Sequence, residues 1–389
     1  MKVFYSPRYE ISLPGHIWPT SKYRLIAERL GRRSLARLRP EGFGEASTEP
    51  WRSRGEGAGL SRAAIVEPPE ASWEDLALVH SSGYLKTLRT NTLSDEDVAT
   101  LELPWASPLA GVFRLMVGGT CAAAAAALDD GLAAHLGGGL HHAFASHGEG
   151  FCPLNDVAVA IRVLQRDRGL RRAAIVDCDV HHGNGTSMIF ERDPDVFTFS
   201  IHQQLNYPFF KPRSDLDVGL ENGAGDERYL DALSGALPRV IESRPEIIIY
   251  LAGADPFEHD RLGGLKVTKA GLAERDRRVL AAARERGVPV ATVLAGGYAV
   301  DVADTVDIHA ATIEWLLQRG ATAHRAPSRP GIRLTVGSAR DRIVPSCAGR
   351  KMDVAPGDFS HSVCGAPAPP VDCGPAAAAR SAPGSSLDR

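Results

Sequence analysis

Four short apolar runs constrain this chain more than anything else in it: "RAAIVDCDV" (172–180), "VFTFSI" (196–201), "EIIIYLAG" (246–253) and "VPVATVLAG" (288–296). Each is continuous and does not alternate with polar residues, the pattern of strands covered on both faces and therefore of a parallel sheet. Helical patterns lie between or beside them: "LNDVAVAIRVLQRD" (154–167), "DERYLDALSGALPRVIES" (226–243) and "TKAGLAERDRRVLAAARER" (268–286). Strand, helix, strand repeated in this way predicts an α/β fold with right-handed crossovers. Ligands of such open sheets bind beyond the carboxyl ends of the strands. The residues that follow each run are therefore the place to look for function.

Those residues agree with one another. After "AAIV" come Asp177, Asp179 and His181, spaced two apart, so an extended backbone would point all three to one face. "IIIYLAG" leads into Ala254 and Asp255, and "VATVLA" into Gly296, Gly297 and Tyr298. "LAAHLGGGLHH" reads as a short strand entering a glycine loop that ends in His141 and His142. Asp179, His181 and Asp255 make a three-ligand oxygen and nitrogen set, the pattern of a catalytic zinc with an open position. Fe²⁺ or Mn²⁺ would accept the same ligands. The plainer alternative is that Asp177 and Asp179 cap a helix starting near Gly185, but a cap needs only one carboxylate. Two imidazoles beside a metal suit proton transfer to and from a reacting amide, because they titrate near neutrality. Alone, they would also fit a hydrogen-bonded loop. Tyr298 follows two glycines that permit close backbone approach and could donate to an oxygen gaining charge; the bland alternative is a packed aromatic.

Composition bounds the rest. A chain of 389 residues has room for one large α/β domain or two ordinary ones. A formal charge of -3 gives no reason to expect nucleic acid or a membrane surface as a partner. No stretch is expected to reach the apolar length that spans a bilayer, and "MKVFYSPRYE" lacks the apolar core of a signal peptide. Six cysteines without CxxC spacing predict reduced thiols and a cytoplasmic location. Seven lysines against 37 arginines, in a chain rich in Ala and Gly, point to a bacterial source. Composition shifts near residue 320, which predicts a domain over 1–320 and a disordered Pro/Ala/Gly-rich tail over 321–389. Within that tail "IRLTV" could still pair as an edge strand, and "RPEGFGEASTEPWRSRGEGAG" (39–59) reads as a loop.

Seven stretches in order, "YSPRYE", "LVHSSGYL", "GGGLHHAF", "GEGFCPLNDVAVA", "DCDVHHGNGT", "GADPFEHDRLGGL" and "LAGGY", resemble the zinc-dependent histone deacetylase family. The pattern leans toward class IV and the bacterial proteins near it. The resemblance implies the arginase/deacetylase fold, a parallel sheet of about eight strands between helices, with the metal at its carboxyl edge. It implies Zn²⁺, with Fe²⁺ as an alternative, on Asp179, His181 and Asp255. It makes His141 and His142 the tandem histidines, with Asp177 orienting the first and Asn184 the second, and Tyr298 the oxyanion donor. Asp177 and Ser200 would hold a monovalent cation, usually K⁺. Gly150 and Phe151 would line the tunnel for an acyl-lysine stem, facing either Tyr207 or Phe209, with Leu262 at the gatekeeper position. Class I members have an Asp where this chain has Asn184, and the family usually has a small polar residue where Pro256 stands. The implied activity is hydrolysis of acetyl or longer acyl groups from protein lysines by attack of a zinc-activated water. Deacetylation of small amides or polyamines is the alternative, and a non-catalytic acyl-lysine binder a third reading. An acidic gatekeeper would mark polyamine substrates, and Leu262 is apolar.

Overall fold

In a computed structural model, which describes residues 1–36 and 64–323, the apolar runs become strands at the expected places. The strands are β1 (Lys2–Phe4), β2 (Ala64–Val66), β3 (Leu132–His135), β4 (Ala173–Asp177), β5 (Val196–Gln203), β6 (Leu216–Leu220), β7 (Ile247–Leu251) and β8 (Val290–Val293). They form one eight-stranded sheet in the order β2-β1-β3-β8-β7-β4-β5-β6, with every pair parallel. The expected fold class holds.

Period-two alternation sorts the sheet's side chains into two cores. Ala173, Ile175, Ile247, Ile249, Leu251 and Val293 pack on one side with Ala123 and Ala127 of helix α5 (Ser107–Asp130) and with Val157 and Ile161 of α6 (Asp156–Arg168). Helices α2 (Trp73–Leu76), α3 (Ser82–Thr90) and α4 (Asp95–Leu101) precede these in the chain, and α7 (Asn184–Phe190) follows. Ala174, Val176, Ile248 and Tyr250 face the other way, against α8 (Asp226–Glu242), α9 (Lys269–Glu285), α10 (Val302–Ala323) and α1 (Ser21–Ala36). Each fully buried Ile or Val contributes about 1.5–3 kcal/mol, so the body of the sheet needs no ligand to hold it. A third core, including Tyr9, Trp18, Tyr23, Leu88, Leu101 and Phe113, draws on the N-terminal segment and α3–α5.

Helix α5 overturns one expectation. Its 24 residues are long and apolar enough to cross a membrane by length and composition. The sequence concealed this because Gly and Ala supply much of the length with few bulky side chains. The helix instead lies against β3, β8 and α6, with 67% of its most apolar window buried inside the domain. Helix α10 runs to Ala323, just past the expected boundary at 320. The rest of the tail, the strand expected at "IRLTV" and the loop at 39–59 lie outside the described residues.

Candidate active site

The site residues singled out at the strand ends leave four adjacent strands, β3, β8, β7 and β4, at the middle of the sheet. The backbone does not present them as expected, however. Strand β4 ends at Asp177, and the chain beyond it is not extended. Asp177 Oδ1 accepts the N–H of Asp179 at 3.1 Å, and Asp179 Oδ1 accepts the N–H of His181 at 3.0 Å. Each carboxylate thus turns the chain by bonding to the backbone two residues on. Successive Asx turns, in place of a pleat, bring Asp177, Asp179 and His181 to one side. Neither carboxylate caps α7, whose N-cap is Gly183 without a side-chain bond.

Asp179, His181 and Asp255 are buried, with ligand atoms within 4.8 Å of one another. His181 Nδ1 lies 3.0 Å from Asp179 Oδ1 and 3.4 Å from Asp255 Oδ2. Backbone fixes the second oxygen of Asp179 and one of Asp255: Asp179 Oδ2 accepts from Gly296 N–H at 2.7 Å and Asp255 Oδ1 from Val180 N–H at 2.9 Å. A Cβ on Gly296 would stand 1.9 Å from Asp255 Oδ2, so only glycine lets that backbone approach. Asp255 Oδ2 itself is buried and accepts no hydrogen bond, which costs about 1–3 kcal/mol or more for a charged group. Burial and the neighbouring Asp179 charge push the Asp255 carboxyl up. A divalent cation here would relieve both penalties. Two carboxylates and one imidazole without a thiolate fit Zn²⁺, Fe²⁺ or Mn²⁺.

The tandem histidines sit beside this trio with separate partners. His141 Nδ1 is 2.6 Å from Asp177 Oδ2, His142 Nδ1 is 2.8 Å from Asn184 Oδ1, and the two Nε2 atoms are 3.1 Å apart. Burial opposes charge on His141, but Asp177 and Asp179 outweigh it and raise its pKa to about 9. Burial, then repulsion from His141 and His181, pushes His142 well below the ordinary value. Such a split prepares one proton donor and one proton acceptor. The loop that carries the pair is tied down from below. Asp156 accepts from the N–H groups of Gly139 at 3.0 Å and Leu140 at 2.6 Å, and Asn155 caps α6 while donating to Ala143 O at 3.0 Å. Gly139 has φ +80°, and a Cβ there would meet the Ala295 backbone at 2.6 Å.

A cavity of about 180 Å³ opens onto these groups, lined also by Gly150, Phe151, Tyr207, Leu262 and Tyr298. Tyr207, not Phe209, is the aromatic on its wall: its ring lies 5.0 Å from that of His142, whereas Phe209 is fully exposed. The Tyr298 ring stands edge-on to Phe151 at 6.1 Å, and the backbone N–H of Tyr298 donates to Asp260 Oδ2 at 2.6 Å. Burial and the charges of Asp179 and Asp255 hold its phenol far above the ordinary range, so it remains an O–H donor. Ser200 faces Asp177 across the β4–β5 ladder and bonds His202 Nδ1 at 2.9 Å.

Three residues at this site had no role in the sequence reading. Lys22 is buried, donates to Ala295 O at 3.0 Å and lies 5.5 Å from the Tyr298 ring centre. Burial lowers its pKa to about 8, against the pull of Asp255, Asp179 and Asp260. In so Arg-rich a chain, its being a lysine was the only available signal. Glu102 lines the cavity. Glu149 bonds Asn184 and Tyr207; burial opposes its ionisation, but bonds from His147, Asn184 and Tyr207 hold its carboxyl below the ordinary range.

Comparison with known proteins gives a consistent result. The histone deacetylase domain matches residues 49–313. An uncharacterized protein of Picosynechococcus is 39% identical over 82% of this chain and 97% of its own length. Histone deacetylase 2 of Arabidopsis thaliana is 31% identical over 77% of this chain and 74% of its own, and the polyamine deacetylase HDAC10 of Homo sapiens 32% over 84% and 53%. Among solved structures, the HD domain of HDA15 superposes with a TM-score of 0.63 at 24% identity, covering 83% of this chain and 93% of that one, and is alike in fold.

Proposed function

The chain belongs to the histone deacetylase family, and from that premise we propose that it hydrolyses acetyl or longer acyl groups from lysine side chains of proteins or peptides. One observation carries the reading. A carboxylate oxygen without a partner, on Asp255, lies in a buried cluster beside two histidines whose pKa values are pushed in opposite directions, at the end of a cavity walled by aromatic rings.

Asp179, His181 and Asp255 would hold Zn²⁺, or Fe²⁺ in its place. When bound, such an ion polarises the amide carbonyl and acidifies water. His142, neutral because burial and its neighbours disfavour charge, takes the proton of the attacking water on Nε2. His141, kept protonated by Asp177, returns a proton to the departing lysine amine. Tyr298 donates its O–H to the carbonyl oxygen as that oxygen gains charge. Phe151 and Tyr207 flank the lysine stem, and Gly150 leaves room for the Tyr207 ring, whose atoms a Cβ there would meet at 2.8–2.9 Å. Asp177 and Ser200 would hold a monovalent cation such as K⁺, a reading supported by their facing positions on β4 and β5. Free buried cysteines at 152 and 178 support a reducing, cytoplasmic setting.

A second reading has one observation in its favour: an acidic residue, Glu102, is on the cavity lining, where a cationic polyamine tail could pair with it. Leu262, also on the lining, favours the peptide. A panel of acetyl-lysine peptide, long-acyl-lysine peptide and acetylspermidine, each with Zn²⁺-loaded and Fe²⁺-loaded protein, tests the choice. Peptide turnover well above that of acetylspermidine is expected; the reverse order would overturn the protein-lysine reading.

A further inference from the structure

Asn184 creates a problem that the active-site geometry answers. An aspartate in its place could only accept, so it would demand a proton on His142 Nδ1 whichever oxygen faced the ring. An amide has an accepting end and a donating end of almost the same shape. With the carbonyl toward His142, Nδ1 carries the proton and Nε2 keeps a lone pair toward the cavity. With the NH₂ toward His142, the proton moves to Nε2 and the ring ceases to be a base there.

Glu149 breaks this symmetry. Its Oε1 lies 2.8 Å from Asn184 Nδ2 and 3.0 Å from the Tyr207 hydroxyl, and its Oε2 lies 3.8 Å from His147 Nε2. A carboxylate accepts only, so Asn184 must turn its NH₂ to Glu149 and its carbonyl to His142 Nδ1, 2.8 Å away. The same Oε1 fixes the Tyr207 ring, which stands edge-on to His142 at 5.0 Å. Glu149 comes from the loop before Phe151, 35 residues from Asn184, and its side chain is 19% exposed.

We infer that Glu149 is a positioning residue: acting through Asn184, it selects from the Nδ1 side the His142 tautomer whose Nε2 carries no proton and faces His141 Nε2 at 3.1 Å, and with the same oxygen it anchors the tunnel wall. The inference rests on the reading of His142 as the general base, but the tautomer can be seen without turnover. Selective ¹⁵N-histidine labelling of the Zn²⁺-loaded full chain, with long-range ¹H–¹⁵N correlation and His142→Ala for assignment, reads it directly. The wild type is expected to show Nδ1 protonated and Nε2 bare. Glu149→Ala should move His142 toward the other tautomer and lower kcat by roughly 10- to 100-fold, up to the lower end of the usual worth of a general base because the shift is partial, with KM little changed. Glu149→Gln can turn its carbonyl to Asn184 and should preserve the tautomer. In Glu149→Ala/Asn184→Asp the new carboxylate should restore both tautomer and kcat, a rescue that a merely structural role would not give. If the double variant folds and is not rescued, or if Glu149→Ala keeps Nδ1 protonated, the inference is overturned even though activity falls. A shifted tautomer with unchanged kcat would support the positioning role and refute His142 as the base.

Discussion

Among the described residues two histidine-carboxylate trios stand side by side, and their difference is the ground on which one of them is proposed to hold a metal. Asp179, His181 and Asp255 form one; His182, His202 and Asp217 form the other, and each brings its ligand atoms within 4.8 Å. Spacing does not separate them, but composition and burial begin to: the first has two buried carboxylates and one imidazole, the second two buried imidazoles and one exposed carboxylate. In the second trio Asp217 Oδ1 pairs with His182 Nε2 at 3.1 Å, Asp217 Oδ2 accepts from Ser214 N–H at 2.9 Å, and His202 Nδ1 pairs with Ser200 Oγ at 2.9 Å. His182 Nδ1 has no partner, but it is the ring nitrogen turned away from Asp217. In the first trio backbone N–H groups hold both oxygens of Asp179 and one of Asp255, and leave Asp255 Oδ2 without a hydrogen bond beside His181. In the second trio both carboxylate oxygens of Asp217 are taken by hydrogen bonds; in the first, one carboxylate oxygen, Asp255 Oδ2, accepts none.

The sharpest way to break this comparison is to remove a carboxylate from each trio. Asp179→Ala should abolish acyl-lysine turnover, whereas Asp217→Asn should leave it within a few-fold of wild type; an Asp217→Asn enzyme as dead as Asp179→Ala would erase the distinction. A smaller loss is expected at Tyr298, whose proposed role is a hydrogen bond and not a metal ligand. Tyr298→Phe should keep its metal while kcat falls on the order of 10²–10³, and a wild-type rate would remove Tyr298 from the mechanism. Smaller still is the effect of Asn184→Asp, read as a shift along the pH axis. His142 is held low by burial and by its charged neighbours, and a new carboxylate on Nδ1 would stabilise its imidazolium and raise its pKa. The base must be deprotonated to work, so the acidic limb of kcat/KM should move to higher pH. A limb that stays put or moves down would mean another group titrates. The least effect is expected on the fold: chelator treatment should stop turnover yet leave the circular dichroism spectrum unchanged, because the apolar sheet is a core in its own right.

The central strands were legible because "AAIV", "IIIYL" and "VATV" are continuous apolar runs, and Asp179, His181 and Asp255 because they follow those runs at once. The edges were not: β1 and β2 have three residues each, and β6, "LDVGL", mixes Asp and Gly into its run. Asp177, Asp179 and His181 were placed together for an incomplete reason, since period two describes a strand and the chain there turns on its own carboxylates. Lys22 and Glu149 escaped notice because tertiary packing alone gives them a role. Lys22 reaches its acceptor across 273 residues, and nothing in "GEG" says that a carboxylate will orient an amide. The apolar length of α5 was missed for a compositional reason, its run of alanines.

Metal content tests the central claim most directly. Purified wild type, Asp255→Ala and Asp217→Ala, each loaded with Zn²⁺, desalted and measured by plasma mass spectrometry, should carry one equivalent, none and one. Zinc retained by Asp255→Ala, or lost from a folded Asp217→Ala, would contradict the assignment of the metal to Asp179, His181 and Asp255.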